Sequence, residues 1–461
     1  MIPRRAHEVV ELAASLGLDF FDLKFEVVPW EVMHEIASYG LPIRAHHWSY
    51  GRAYRRLEVH GRMGLSKIYE IVLNNDPAYA FLLDTNTEVE NLLIVAHVAA
   101  HSDFFKHNVC FTRTQRNMVA EAAEHAARVE RYRERYGERR VERLMDAAFA
   151  LERHIDPHKG VHREPYPKPQ VVEEEVPERP YADLFPGEEQ RSIRRVVKGD
   201  KLPPHPESDL LWFLSQYAPL EPWERDVLDI VREEAHYFYP QFNTKVLNEG
   251  WASYWHAEVI HKYDNLSPKE MIDFSALHAS VVRPGGPLHV NPYYLGYKIL
   301  VDVERRWNEK FKAGESKVDG RAKLFEIRSL EDDFSFLRNY LTPELIEEME
   351  LYTYAPACDC GAGGRGGACA RCGEIAVESR EPEAVVEALL RPRYNYGVPK
   401  VVVAEVRAGR LFLEHVDTGL GGLDREYAEK TLELVREIWK GPVSVRTIDR
   451  TGRPIEIALP G

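Results

Sequence analysis

Cysteine is scarce in this chain, with five in 461 residues, and four of the five crowd together at Cys358, Cys360, Cys369 and Cys372. A disulfide framework spread through the fold is therefore excluded, and the local cluster points to a metal instead. Long apolar runs are also missing. The longest, Leu92 to Ala100, is broken by His97 and falls far short of the roughly 20 residues a helix needs to cross a bilayer. No membrane span is expected. Positive charge is in deficit, since 60 Lys and Arg face 74 Asp and Glu for a net charge of -14. Binding a phosphate backbone requires a concentrated basic surface, so nucleic acid is excluded as a partner. The opening residues, Met1-Ile2-Pro3-Arg4-Arg5-Ala6-His7-Glu8, lead into an amphipathic pattern and not into the apolar core of a secretory signal. A cytoplasmic location is expected.

What is present is enough to fold: 44% hydrophobic and 11% aromatic residues supply a substantial core for two or three domains. Apolar residues recur three and four apart at Val9, Leu12, Ala13 and Leu16, and again at Leu92, Val95, Ala96 and Ala99. This spacing predicts a mainly helical fold. Asn86 or Thr87 is placed to cap the helix carrying His97, while Ile68 to Leu73 fits helix or strand equally well. Between about 157 and 206 the alternating Pro165, Pro167 and Pro169, the run Glu173-Glu174-Glu175 and the pair Pro203-Pro204 predict an irregular excursion.

Helical periodicity returns at Glu224–Tyr239, Glu249–His261 and Tyr293–Phe311, and Thr342-Pro343-Glu344 reads as a cap followed by proline at the first helical position. These elements make one mainly helical domain over 1–355. A glycine-rich cysteine segment, 356–374, separates it from a tail of different pattern. There Val401–Val403, Leu411–Leu413, Val443–Val445 and Ile455–Ile457 read as strands around a helix from about Arg425 to Trp439. A small α/β domain is expected over 383–461.

Two segments put polar, metal-competent side chains on apolar helices, where unpaired polar groups are costly. In Val95-Ala96-His97-Val98-Ala99-Ala100-His101 the two histidines are four apart, so they share a helical face and can converge on one ion. A lone pair of this kind is also what two ordinary hydrogen-bonded histidines look like. The second segment is Leu247-Asn248-Glu249-Gly250-Trp251-Ala252-Ser253-Tyr254, which resembles the glutamate-ligand helix of gluzincin metallopeptidases of the aminopeptidase type. Arg232-Glu233-Glu234-Ala235-His236 is similar to their H-E-x-x-H helix, with Arg232 in place of the first histidine.

The resemblance implies a gluzincin-like helical core with a catalytic zinc held by His97, His101 and Glu249, and with His236 as a further candidate ligand. Val98 stands where the general base of that pattern would be. Proton transfer is then left to Glu233, Asp103 or His256 as the catalytic candidates. Glu249 and His256 are seven apart, about 10 Å along a helix, so Glu249 is assigned to the metal and His256 to supporting or acid/base duty. A buried histidine bonded to backbone is the alternative for His256.

Cys358-Asp359-Cys360 and Cys369-Ala370-Arg371-Cys372 offer four thiolates for a structural zinc. Redox-active thiols or an empty loop are the alternatives. The E-x-x-H pairs Glu31/His34, Glu233/His236 and Glu258/His261 keep a di-iron carboxylate oxidase open as a further reading. Arg283-Pro284-Gly285-Gly286-Pro287 has no phosphate-loop spacing and reads as a surface turn.

Taken with their surroundings, the runs His97–Asn108 and Asn248–His256 resemble signatures of the stage V sporulation protein R (SpoVR) family. So do Trp48-Ser49-Tyr50-Gly51, Met63-Gly64-Leu65, Tyr69-Glu70-Ile71-Val72, Asp209–Leu214 and Leu220-Glu221-Pro222-Trp223. The resemblance covers about residues 10 to 350. It implies a link to spore cortex or cell-wall peptidoglycan, a cell-wall peptide or protein as substrate, and a serine protein kinase system as partner. A zinc-dependent hydrolase of amide bonds and a metal-stabilised scaffold without catalysis are the two main functional expectations.

Overall fold

The computed structural model describes residues 4–62, 70–167, 170–175, 193–198, 201–286, 288–356, 375–419, 421–449 and 451–459. It divides into two compact units, Met1–Arg135 with His236–Gly397, and Tyr136–Ala235 with Val398–Gly461. In chain order come α1 (Arg4–Ser15), β1 (Leu23–Val28), α2 (Trp30–Tyr39), α3 (Trp48–Arg62), β2 (Glu70–Val72), β3 (Ala78–Leu83), α4 (Glu88–His107) and α5 (Met118–Tyr136). The second unit opens with α6 (Glu138–Ala150), β4 (Gln170–Glu175), β5 (Ile193–Lys198) and α7 (Leu210–Tyr217), and α8 (Pro222–Asn243) returns the chain to the first. There follow α9 (Lys245–His261), α10 (Pro268–Val281), α11 (Pro292–Lys312), α12 (Gly320–Leu330), α13 (Asp333–Tyr340), α14 (Pro343–Glu348), β6 (Thr353–Pro356), β7 (Ile375–Ser379) and α15 (Pro382–Leu390). The chain ends in β8 (Val401–Arg407), β9 (Arg410–His415), α16 (Arg425–Trp439), β10 (Val443–Ile448) and β11 (Pro454–Leu459).

The first unit is built around α4 and α9. Every residue of α4 from Leu92 to Phe105 is buried, and in α9 only Glu249 and Glu258 interrupt the buried run from Val246 to Ile260. A helix apolar on all sides belongs in the middle of a core, and Val95, Ala99, Leu247, Trp251, Trp255, Ile299 and Leu300 fill it. Thr87 caps α4 in a full capping box with Glu90, which satisfies two of the amide donors that a helix start leaves open. Asp333 does the same for α9 by accepting from the amides of Val246 and Leu247 at 3.0 Å each, and Arg393 neutralises it.

The ambiguous run around Ile71 is a strand: β2 pairs antiparallel with β3, which pairs parallel with β1. α15 packs into the core of the first unit through Val385 and Leu390, so the small sheet starts only at Val401. In the second unit that sheet has the order β11-β10-β9-β8, with β9 and β10 parallel on either side of the α16 crossover. The stretch expected to be irregular contains the antiparallel pair β4 and β5. Its far end runs along β8, exchanging backbone hydrogen bonds between Glu207 and Val403. Burial alone would raise the Glu207 carboxyl, but hydrogen bonds from Tyr166, Arg163 and Lys159 outweigh it and hold the pKa below the ordinary range. Among the described residues no helix is long and apolar enough to cross a membrane.

Candidate metal centre

His97 and His101 are 3% and 6% exposed on α4, and the i, i+4 spacing brings their Nε2 atoms to 3.0 Å from one another. Glu249 of α9 completes the group. Its Oε2 lies 3.4 Å from His101 Nε2 and 3.7 Å from His97 Nε2, and all three ligand atoms fall within 4.8 Å of each other. Two donors held roughly 2.0–2.2 Å from a common tetrahedral ion stand about 3.4 Å apart. The three separations bracket that value.

The donor chemistry agrees with the geometry. His101 Nδ1 donates to Asn248 Oδ1 at 2.9 Å, which leaves a lone pair on its Nε2 facing the nitrogen of His97. Either a hydrogen on His97 Nε2 or a cation between the two nitrogens satisfies a contact of this length. Glu249 Oε2 is buried and has no hydrogen-bond partner, a costly state for a carboxylate oxygen unless a metal ion or a protonated imidazole faces it. Burial would raise Glu249, yet His101 and His97 outweigh it and hold its pKa well below the ordinary value. Burial would likewise lower His101, and the Glu249 carboxylate more than reverses this. The residues fit a divalent cation.

The run Asn248-Glu249-Gly250-Trp251 does four separate things because successive helical residues point about 100° apart. Asn248 orients His101 and Glu249 faces the two imidazoles. Gly250 lets α11 approach so closely that a Cβ at this position would stand 2.4 Å from the carbonyl carbon of Gly296. Trp251 donates its Nε1 hydrogen to Asp103 Oδ2 at 3.0 Å.

The close approach of α11 delivers Tyr293, at the start of that helix beyond the Asn291 cap, to the site. Its ring stacks on His97 at 6.1 Å between centroids. The Glu249 charge, then burial and Glu70, push its phenol well above the usual pKa, so it stays a proton donor. From β2, Glu70 brings Oε1 to 4.0 Å from His97 Nε2. Burial raises its pKa, aided by Glu249 and opposed by the two histidines.

Four groups in or around the site were not identified as such in the sequence: Glu70, Asn248, Tyr293 and His278. Glu70 and Asn248 sat inside segments already singled out, but nothing in their spacing marked a role. His256 is wholly buried, with Nδ1 at 3.0 Å from His97 Nδ1 and Nε2 at 2.7 Å from Nδ1 of His278 on α10. It contacts the candidate ligand His97 from behind.

The other candidates are not among the three clustered ligand residues. Asp103 accepts hydrogen bonds from the Asp19 amide, Trp251 Nε1 and Arg328 Nη1, each 2.9 or 3.0 Å long. It joins α4 to α9 and α12. Glu233 belongs to the second unit, and His236 on α8 is not among the three clustered ligands. In the remaining E-x-x-H pairs, His34 and His261 donate Nδ1 hydrogens to the carbonyls of Trp30 and Ala257, while Glu258 is ion-paired with Arg321 and Lys262. Among the described residues only His97, His101 and Glu249 form such a ligand group. Cys358, Cys360, Cys369 and Cys372 lie outside the described residues.

Comparison with known proteins gives the lineage. The family described as SpoVR like protein matches residues 1–359, a span that contains every residue of the centre. The chain is 32% identical over 381 residues to the "Uncharacterized protein YcgB" of Escherichia coli (strain K12), covering 75% of this chain and 73% of that protein. No solved structure matches it. With the family matched over more than half of its length and a relative of this similarity, the chain belongs to the SpoVR-like protein family.

Proposed function

We propose that this protein is a metal-dependent hydrolase of amide bonds, with zinc held by His97, His101 and Glu249 and a peptide of cell-wall or protein origin as substrate. The observation that carries the reading is the partnerless Glu249 Oε2 facing two imidazole nitrogens, with a second carboxyl and a phenol beside them. The chemistry zinc supplies when bound is a water of lowered pKa and a polarised carbonyl. Glu70 then takes the place of the general base: its Oε1 lies 4.0 Å from His97 Nε2, and burial raises its pKa above the ordinary carboxylate value, the direction that makes it a better proton acceptor. Tyr293 donates its hydroxyl hydrogen to the oxygen that gains charge.

The test uses zinc-loaded protein with peptide and muropeptide libraries. Glu70→Gln is expected to retain zinc and lose 10²- to 10⁴-fold in kcat, whereas Glu249→Gln loses the zinc itself. Cleavage by Glu70→Gln at the parental rate would contradict the assignment.

One observation favours a second reading, an ion that only fastens the fold: the three ligands are nearly enclosed and tie the two central helices together. Under that reading Glu249→Gln lowers the melting temperature and no library is cleaved by any form of the protein.

A further inference from the structure

The contact between His97 and His256 is unusual in that both partners present Nδ1, at 3.0 Å, within a fully buried setting. A hydrogen bond between two neutral imidazoles needs one N–H and one lone pair. His97 Nε2 faces His101 Nε2 and Glu249 Oε2, so a metal ligand at that atom leaves the His97 hydrogen on Nδ1. That hydrogen must be donated to His256 Nδ1. His256 then carries its own hydrogen on Nε2 and donates it to His278 Nδ1, 2.7 Å away, which in turn places the His278 hydrogen on Nε2. Each ring fixes the tautomer of the next.

Packing leaves the rings little freedom to choose otherwise. His256 sits between the His97 ring, tilted at 5.3 Å, and the His278 ring, edge-on at 5.0 Å, with Phe274 closing a further side. His278 is stacked on Phe274 and meets the edge of Tyr297. The chain of three runs outward from the centre, since His278 is only half-buried while His256 is fully enclosed.

We infer that His256 and His278 are positioning residues for the metal centre: together they hold His97 in the Nδ1–H tautomer and aim its Nε2 lone pair at the ion. The inference rests on the metal reading of the His97, His101 and Glu249 group. A ligand histidine whose outer nitrogen has lost its acceptor typically gives up 10- to 100-fold in metal affinity. His256 would provide that acceptor from an imidazole, and His278 decides which of its nitrogens is free to accept.

Zinc affinity measured by competition with a chromophoric chelator, in a background with Cys358, Cys360, Cys369 and Cys372 changed to serine, tests this. His256→Leu, which is apolar and of similar bulk, is expected to bind zinc 10- to 100-fold more weakly. His256→Asn restores an acceptor and should recover most of the loss. His278→Phe, at a half-buried position that tolerates change more readily, should give a smaller loss of the same sign. Long-range 15N–1H correlation spectra of zinc-loaded protein with labelled histidine should show His97 carrying hydrogen on Nδ1.

Parental zinc affinity in both His256→Leu and His278→Phe, or a zinc-loaded His97 with hydrogen on Nε2, would overturn the inference while leaving the metal reading standing. Failure of the parental protein to bind zinc at all would overturn both. Melting curves of the metal-free variants separate loss of folding from loss of affinity, and an affinity loss in a variant that melts as the parent does supports the positioning role.

Discussion

Replacing Arg328 by methionine is expected to destabilise the protein by about 2 kcal/mol more at pH 7.5 than at pH 4. Asp103 is wholly buried, and Arg328 Nη1 lies 2.9 Å from its Oδ1. Even with that partner, burial pushes the Asp103 carboxyl up to about 6. A group whose folded pKa is raised favours the folded state below its unfolded value and loses that advantage as pH rises through the folded one. For the native protein the Asp103 contribution therefore declines between about pH 4 and pH 6.

Without Arg328 the folded carboxyl rises further, the decline extends to higher pH, and the gap between variant and parent opens across pH 5 to 8. Urea unfolding at several pH values measures it. A loss of equal size at pH 4 and pH 7.5 would mean that Arg328 acts through its packing on the Trp251 and Phe325 rings, at 5.7 and 5.1 Å, and not through charge.

Gly250→Ala is expected to destabilise the protein by about 2 kcal/mol, although the same exchange in a roomy helix would stabilise it by up to about 1 kcal/mol through reduced chain entropy. The sign is the informative part. A Cβ on Gly250 meets backbone atoms of Gly296 at 2.4, 2.5 and 2.9 Å, and one on Gly296 meets the Val246 carbonyl oxygen at 2.1 Å. Backbone cannot step aside as a flexible side chain can, so α9 and α11 must separate, and overpacking of this kind costs about 1–3 kcal/mol.

Once the helices have parted for one methyl, the second is accommodated more cheaply. The double variant Gly250→Ala/Gly296→Ala should lose less than the sum of the two single losses, since contacting residues are not additive. Thermal and urea melts of the four proteins give the coupling. Separation also carries Tyr293 away from Glu249, so the single variants should show altered metal affinity as well. Unchanged or increased stability in Gly250→Ala would contradict the close packing.

The part of the centre that could be read in the sequence is the part written along single helices. His97 and His101 share a face by spacing alone, and Glu249 stands out because an acid in an otherwise apolar helix needs a reason. Glu70 carries no such signal. It sits on β2, a strand of only three residues, too short to show a period, and reaches His97 only through tertiary pairing. Tyr293 is one aromatic among many until the two glycines bring its helix in.

Asp103 shows where local reading stops. Two positions from His101 it is a candidate for proton transfer, and its partner in the structure, Arg328, lies 225 positions away. The tail was legible as strands and one helix, because alternation and amphipathic spacing are local. Its strand order was not, since inserting β10 between β9 and β11 is decided by the crossover of α16. The membership of α15 in the first core likewise depends on contacts that no local pattern encodes.

The central claim is that two imidazoles of one helix and a carboxylate of another hold a single metal ion. Elemental analysis joined to X-ray absorption spectroscopy, on protein whose four clustered cysteines are changed to serine, tests it most directly. One zinc per chain is predicted, with a shell of nitrogen and oxygen at about 2.0–2.2 Å and no sulfur, lost in His97→Ala/His101→Ala. A protein without bound metal, or one that keeps its zinc in the double alanine variant, would contradict it.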